Sequence, residues 1–238
     1  AQDILSRSRM RDLDWIEKGR ILQVAGIVHE GFRQYSNAIS VAPGTGRPYF
    51  RNAQVLIEFN EVSEARKLIE KGLEIDSHSI TGKILLLKTL SGEEVVNRIE
   101  EFTIFKEKKH QAQEIIAKKV MDINPRLALE FLDKQNPKNF LLLSQCFLLA
   151  REFSDSILFA SNYISAFPRE INGFLNAGWV SIEMNDFDGA IDFFDMAIGI
   201  DALCSEALYG KGLALKTKGD DFEVCQIILS KIDKELII

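Results

Sequence analysis

Several things are scarce in this chain, and each scarcity excludes something. It has three cysteines in 238 residues, Cys146, Cys204 and Cys225. Their odd number and wide spacing exclude a disulfide framework and a zinc ribbon. All three fall in apolar, helix-like contexts and read as small buried hydrophobes, a usage that fits a reducing cytoplasm. The three histidines, His29, His78 and His110, form no recognised ligand spacing, so no metal site is expected. No run approaches 18 uncharged apolar residues, so no membrane span is expected. The opening residues Ala1-Gln2-Asp3-Ile4-Leu5-Ser6-Arg7 lack the apolar run of a secretory signal. The absence of an initiator Met carries the expectation that the chain is processed or cut from a longer one.

What is present is an ordinary globular composition, 46% hydrophobic and 27% charged. The net charge of −6 is unevenly placed. Residues 1–136 hold 21 Lys and Arg against 20 Asp and Glu, while residues 137–238 hold 8 against 15. The second part therefore repels a phosphate backbone, and nucleic acid is not expected as a partner. A basic protein segment suits it better, although acidity also serves solubility alone.

Laying the chain on itself reveals a period of 34 residues, with units starting at 12, 46, 137, 171 and 205. Position 4 holds Trp15, Tyr49, Phe140, Phe174 and Leu208. Position 8 holds Gly19, Ala53, Ser144, Gly178 and Gly212, and position 20 holds Gly31, Ala65, Ser156 and Ala190. Position 28 holds Ile39, Leu73, Ile164, Ile198 and Ile232; position 32 holds Pro43, Ser77, Pro168 and Ala202. Two antiparallel helices cross closely only where side chains are small. Bulky residues at 4, 24 and 28 fill the space between hairpins. Proline at 32 stops a helix and marks the turn into the next unit. One hairpin cannot bury its own apolar face, but a stack can.

These columns resemble the tetratricopeptide repeat family. The resemblance implies an all-α solenoid, a right-handed superhelix of stacked antiparallel hairpins spanning 1–238. Its regular repeats are 12–45, 46–79, 137–170, 171–204 and 205–238. The last gains one residue near Gly219-Asp220-Asp221, which brings Cys225 into the small column and Leu229 into an apolar one. Residues 80–136 are too short for two full repeats and read as two degenerate ones, or as a break between two blocks. Helices are expected over Ile80–Thr89, Val95–Phe105 and Glu107–Met121, with a capping box at Ser91-Gly92-Glu93-Glu94 and a short helix started by Pro125. Residues 1–11, with Arg7, Arg9 and Arg11, are a leader or an N-terminal helix.

No constellation carries chemistry. Pro43-Gly44-Thr45-Gly46-Arg47-Pro48 lacks the Lys-Ser/Thr of a phosphate loop and reads as an inter-repeat turn. The carboxylate pairs Asp186 and Asp188, Asp192 and Asp195, and Asp220 and Asp221 fall at turns or on outer faces, without the desolvated pocket a general acid needs. No Ser-His-Asp or Cys-His arrangement is present. The chain is expected to be no enzyme and to need no cofactor.

The resemblance further implies a concave groove lined by the first helix of each hairpin. Its inward positions give Arg20, Phe50, Gln54 and Ile57 in the N-terminal part. In the C-terminal part they give Lys138, Leu141, Gln145 and Leu148, then Asn172, Leu175, Trp179 and Ile182, then Glu206, Tyr209, Leu213 and Lys216. Trp179 stands outside the packing columns, which makes it a candidate anchor for a partner. Repeats that grip the C-terminal carboxylates of heat-shock chaperones carry a defined Lys/Asn/Arg set; only Asn176, itself expected at the groove, matches it here. The expected function is a scaffold binding a protein or peptide, basic in character, in the groove. A structural subunit assembling through its ends, a regulatory domain of an enzyme and an RNA-binding repeat remain as alternatives. The stripe Ile228, Leu229, Ile232 and Leu236, with Ile227, Ile237 and Ile238 around it, is expected to pair two copies through the C-terminal helix.

Overall fold

A computed structural model of the chain describes residues 12–106 and 110–219. Among the described residues every regular element is a helix. They are α1 Asp12–Val24, α2 Val28–Val41, α3 Arg47–Glu58, α4 Val62–Ile75, α5 Ile80–Thr89, α6 Gly92–Asn97, α7 His110–Val120, α8 Pro125–Leu129, α9 Phe140–Leu149, α10 Phe153–Ala166, α11 Ile171–Glu183, α12 Phe187–Ile200 and α13 Ser205–Lys218. Short 3₁₀ segments cover Ile99–Phe105 and Pro137–Asn139. The chain divides into two compact units, Ala1–Phe102 and Thr103–Ile238. Within each, the helices of the regular hairpins pack on their neighbours in sequence, and a hairpin's first helix also meets the next first helix, as when α3 meets α5 and α11 meets α13. That is the contact pattern of a helical repeat.

The backbone repeats as strictly as the sequence. Gly26, Asn60, Arg151, Asn185 and Gly219 all adopt a left-handed φ, from 60° to 87°. Each is position 15 of its 34-residue unit. After Gly26, Asn60, Arg151 and Asn185, the next residue's N–H reaches back to the carbonyl five residues before it: Ile27 to Leu22, Glu61 to Leu56, Glu152 to Phe147 and Asp186 to Ser181, at 2.8–2.9 Å. This closure satisfies helix-end carbonyls and turns the chain into the second helix of the hairpin.

The small columns sit where the helices cross. In unit 1 a Cβ on Gly31 would meet the Gly19 carbonyl at 3.0 Å, and one on Gly19 would stand 2.6 Å from the Tyr35 ring. In unit 2 the α9–α10 crossing is made by Ser144 and Ser156. Each hydroxyl donates to the other's carbonyl, at 2.6 and 2.7 Å. Phe194 fills the next interval, and a Cβ on Gly178 or Gly210 would collide with its ring. Around it lies a core of Phe174, Leu175, Ala190, Ala197, Ala207 and Ala214.

The irregular segment follows its local signals with one departure. Ser91 and Glu94 make both bonds of the capping box, at 2.9 and 3.2 Å. Pro125 opens α8, with the Asn124 side chain accepting from the Leu127 N–H at 3.0 Å. The helix expected over Val95–Phe105 instead stops at Asn97 and continues as 3₁₀. Three residues per turn put Phe102 and Phe105 in line, and both are buried. The expectations for residues 1–11, the insertion near Gly219-Asp220-Asp221, Cys225 and the C-terminal apolar stripe concern residues outside the described ones.

Candidate functional site

In unit 2 the first helices α9, α11 and α13 lie side by side. Leu141, Gln145 and Leu148 on α9, Trp179 and Ile182 on α11, and Leu213 on α13 are half-buried, whereas Lys138, Asn172, Glu206, Tyr209 and Lys216 are exposed. Trp179 is the best-held of these. Its indole meets the Phe194 ring edge-on at 5.3 Å and 74°, and its Nε1 donates to Glu206 Oε1 at 2.9 Å. The Tyr209 ring lies 6.2 Å from it, inclined by 43°. Trp179 therefore does pack on the core, contrary to its place outside the repeat columns, because its spacing turns one edge towards Phe194.

Three of the expected groove residues are buried in the core instead. Leu175 and Asn176 are buried. Asn176 donates from Nδ2 to Ser144 Oγ, so the one match to the chaperone-tail pattern serves the helix crossing. Phe50 is 3% exposed. Its ring is clamped between Gly72 and Gly82, where an added Cβ would come within 2.5 and 2.6 Å. Tyr49 beside it is half-buried, with its hydroxyl on the Pro43 carbonyl at 3.3 Å. Two adjacent aromatics cannot both face the core of one helix, and the glycines on α4 and α5 select Phe50.

Unit 1 also presents a charged cleft of about 320 Å³, lined by Arg47, Phe50, Arg51, Gln54, Asp76, Ser79 and Thr81. Gln54 Oε1 accepts from Arg51 at 3.3 Å. Arg20 on α1 is occupied: its Nε donates to both Glu17 oxygens at 3.1 Å. That hydrogen bond holds the Glu17 carboxyl below its ordinary range. Behind it the Tyr35 hydroxyl donates to Gln23 Oε1 at 3.1 Å, and Gln23 Nε2 donates to Glu58 Oε2 at 3.0 Å.

This arrangement of helix pairs has a close structural counterpart. The C-terminal part of a TPR repeat-containing protein from Cytophaga hutchinsonii matches with a TM-score of 0.70 over 91% of this chain and 93% of its own, at 14% identity. The fold is the tetratricopeptide-repeat fold. Weaker likenesses to proteins of this fold include YrrB, whose structure is described as a TPR protein with an unusual peptide-binding site, at 19% identity over 83% of this chain and 90% of its own (TM-score 0.44). MamA from Desulfovibrio magneticus RS-1 matches at 11% identity over 80% and 95%, with a TM-score of 0.42. No family model and no curated protein matches the sequence.

Within the tetratricopeptide frame, other chemistry is sparse. Among the described residues no group of three His, Cys, Asp or Glu side chains is arranged to hold a metal, and no helix is long and apolar enough to cross a membrane. Burial pushes the Cys146 thiol up to about 12, which keeps it protonated and inert as a nucleophile. Asp186 caps α12 by accepting from the Gly189 N–H at 3.1 Å, while Asp188 and Asp195 pair with Lys218 and Lys211 at 2.8 and 2.6 Å. Glu206 was legible only as one inward position among several; its bond to Trp179 joins two helices and needs the fold to be seen.

Proposed function

We propose that the chain is a non-catalytic interaction scaffold that docks a segment of another protein across α9, α11 and α13 of unit 2. The observation that carries this reading is the row of partly exposed apolar side chains on these adjacent helices: Leu141, Leu148, Trp179, Ile182, Tyr209 and Leu213. A rigid aromatic standing half out of a packed core offers contact area at little cost in side-chain entropy. The surplus of acidic residues in this part of the chain favours a partner segment carrying positive charge. Assembly through the chain's end, the other reading, depends on residues 220–238 outside the described ones.

The test is a display selection of random peptides on the chain. Selected peptides bind the parent and lose at least about tenfold in affinity with Leu148→Asp or Leu213→Asp, the size of a well-placed apolar contact. They are unaffected by Met196→Asp on the exposed outer side of α12. Peptides that respond to Met196→Asp and ignore both groove substitutions would place docking on the outer face and end this reading.

A further inference from the structure

We infer that Trp179, Tyr209 and Glu206 together form a receptor for one cationic side chain, a lysine or arginine of the docked segment; this rests on the reading that α9, α11 and α13 are the docking face. Two aromatic rings and a carboxylate meet at this one place. The ring centroids are 6.2 Å apart with planes inclined by 43°, so one ammonium or guanidinium group can come within reach of both π faces. Tyr209 is 49% exposed, which leaves its ring accessible.

Among the described residues the charge at this place is uncompensated. Glu206 is exposed and its Oε1 accepts from the neutral indole N–H at 2.9 Å, while among the described residues its Oε2 takes no hydrogen bond and no ion pair reaches it. An indole donor orients a carboxylate without neutralising it. Other rings of the chain are matched with cations of the chain itself: Lys18 over Trp15, Lys106 over Phe131, Lys134 over Phe147 and Arg151 over Phe153, at 5.2–5.8 Å. No Lys or Arg of the described residues stands over Trp179 or Tyr209. Lys211 and Lys218, on the same helix as Tyr209, pair with Asp195 and Asp188.

The cluster is also held in place. Phe194, locked between Gly178 and Gly210, fixes the indole edge-on, and Glu206 fixes its N–H. A receptor whose rings are already oriented loses little freedom on binding. Other occupants fit less well. An acidic side chain is repelled by Glu206, and a purely apolar one would strip water from that carboxylate without replacing its hydrogen bonds. Only a cation satisfies the rings and the carboxylate together.

The same display selection decides the matter when it is repeated on variants of the cluster. Peptides selected on the parent are expected to share a Lys or Arg. Replacing that residue by norleucine should weaken binding about five- to thirty-fold, the range from an exposed to a desolvated cation–π contact. Glu206→Gln and Tyr209→Ala should each weaken it comparably, Tyr209→Phe should not, and Glu206→Gln combined with the norleucine peptide should cost no more than either alone. Glu206→Gln changes one exposed side chain, and an unchanged melting curve shows that the fold survives. Groove-dependent peptides without a shared Lys or Arg, or with affinity indifferent to Glu206→Gln, overturn the cation receptor and leave the docking face standing. If no selected peptide depends on Leu148 or Leu213, the docking face and the receptor fall together.

Discussion

In unit 1 the first hairpin crosses glycine on glycine, Gly19 beneath Gly31, with the Tyr35 ring laid over Gly19. In unit 2 the same two positions are Ser144 and Ser156, which exchange hydrogen bonds with each other's carbonyls and receive a third from Asn176. The glycine crossing gains close backbone approach and needs an aromatic cover. The serine crossing keeps polar groups in the core and satisfies them. Among the described residues unit 1 has the untidier interior by this measure: Trp15 Nε1, Gln34 Oε1 and Asn52 Oδ1 are buried without a hydrogen-bond partner, and all lie in that unit. Smallness in these columns is a requirement that quite different chemistries meet.

Substitutions can break this comparison. The largest effect is expected where an aromatic ring closes over a small-column glycine. Gly178→Leu drives a side chain into Phe194, whose ring is 2.7 Å from an ideal Cβ, and overpacking of this kind costs about 1–3 kcal/mol. The melting temperature should fall accordingly, and Phe194→Ala added to it should recover part of the loss. A variant that melts with the parent would show that the two helices do not cross at this column.

A second pair separates satisfied from unsatisfied polar groups. Ser144→Ala leaves the Asn176 amide and the Ser156 carbonyl without their partner, which costs about 1–3 kcal/mol. Asn52→Leu removes an amide that makes one bond, to Ser36 Oγ at 3.2 Å, and carries an unpaired oxygen. It is expected to be neutral or stabilising. Denaturant midpoints of the two variants should move apart; equal losses would mean that the hydrogen bonds of unit 2 contribute no more than those of unit 1.

A smaller effect is expected at position 15. Arg151 is the one residue there that is neither glycine nor asparagine, yet it holds φ at 60°. Arg151→Asn should raise stability by up to about 1 kcal/mol, because asparagine tolerates the left-handed region better. A loss of stability would show that Arg151 is kept by its contacts to Phe153 and Glu183. An effect confined to alkaline pH concerns the thiols. Cys146 is buried with its thiol raised from an ordinary 9 to about 12. The folded state therefore binds a proton that the unfolded chain releases, and this contribution to stability is present below about pH 9 and lost as pH rises towards 12. Mass spectrometry of the native protein alkylated at pH 8 should find Cys204, which is half-buried, modified before Cys146. Early labelling of Cys146 would mean that α9 opens readily.

The period, the small columns and the turn prolines were legible because they answer to local rules. A side chain at a close crossing must be small in any repeat, and proline is admitted to the first turn of a helix but not to its interior. The all-helical repeat fold follows from them, and so do the capping box at Ser91 and the start of α8 at Pro125. The left-handed turn at position 15 was half-visible: glycine or asparagine marks it in four units, and Arg151 hides it in the fifth.

What the sequence could not decide was which neighbour on one helix faces inward. Adjacent helical positions differ by about 100°, so Tyr49 and Phe50 compete for one core. The outcome is set by Gly72 and Gly82, which come from other helices. Asn176 reads as a surface amide until Ser144, 32 residues earlier, is placed beneath it. Trp179, Glu206 and Tyr209 are ordinary residues on two separate helices until stacking brings them together. The sequence by itself determined that helices pair and where they turn, because helix termination and close crossing depend on residues within one hairpin. Only the tertiary structure decided which side chains remain outside to meet a partner, because that depends on the space left by residues far away in the chain.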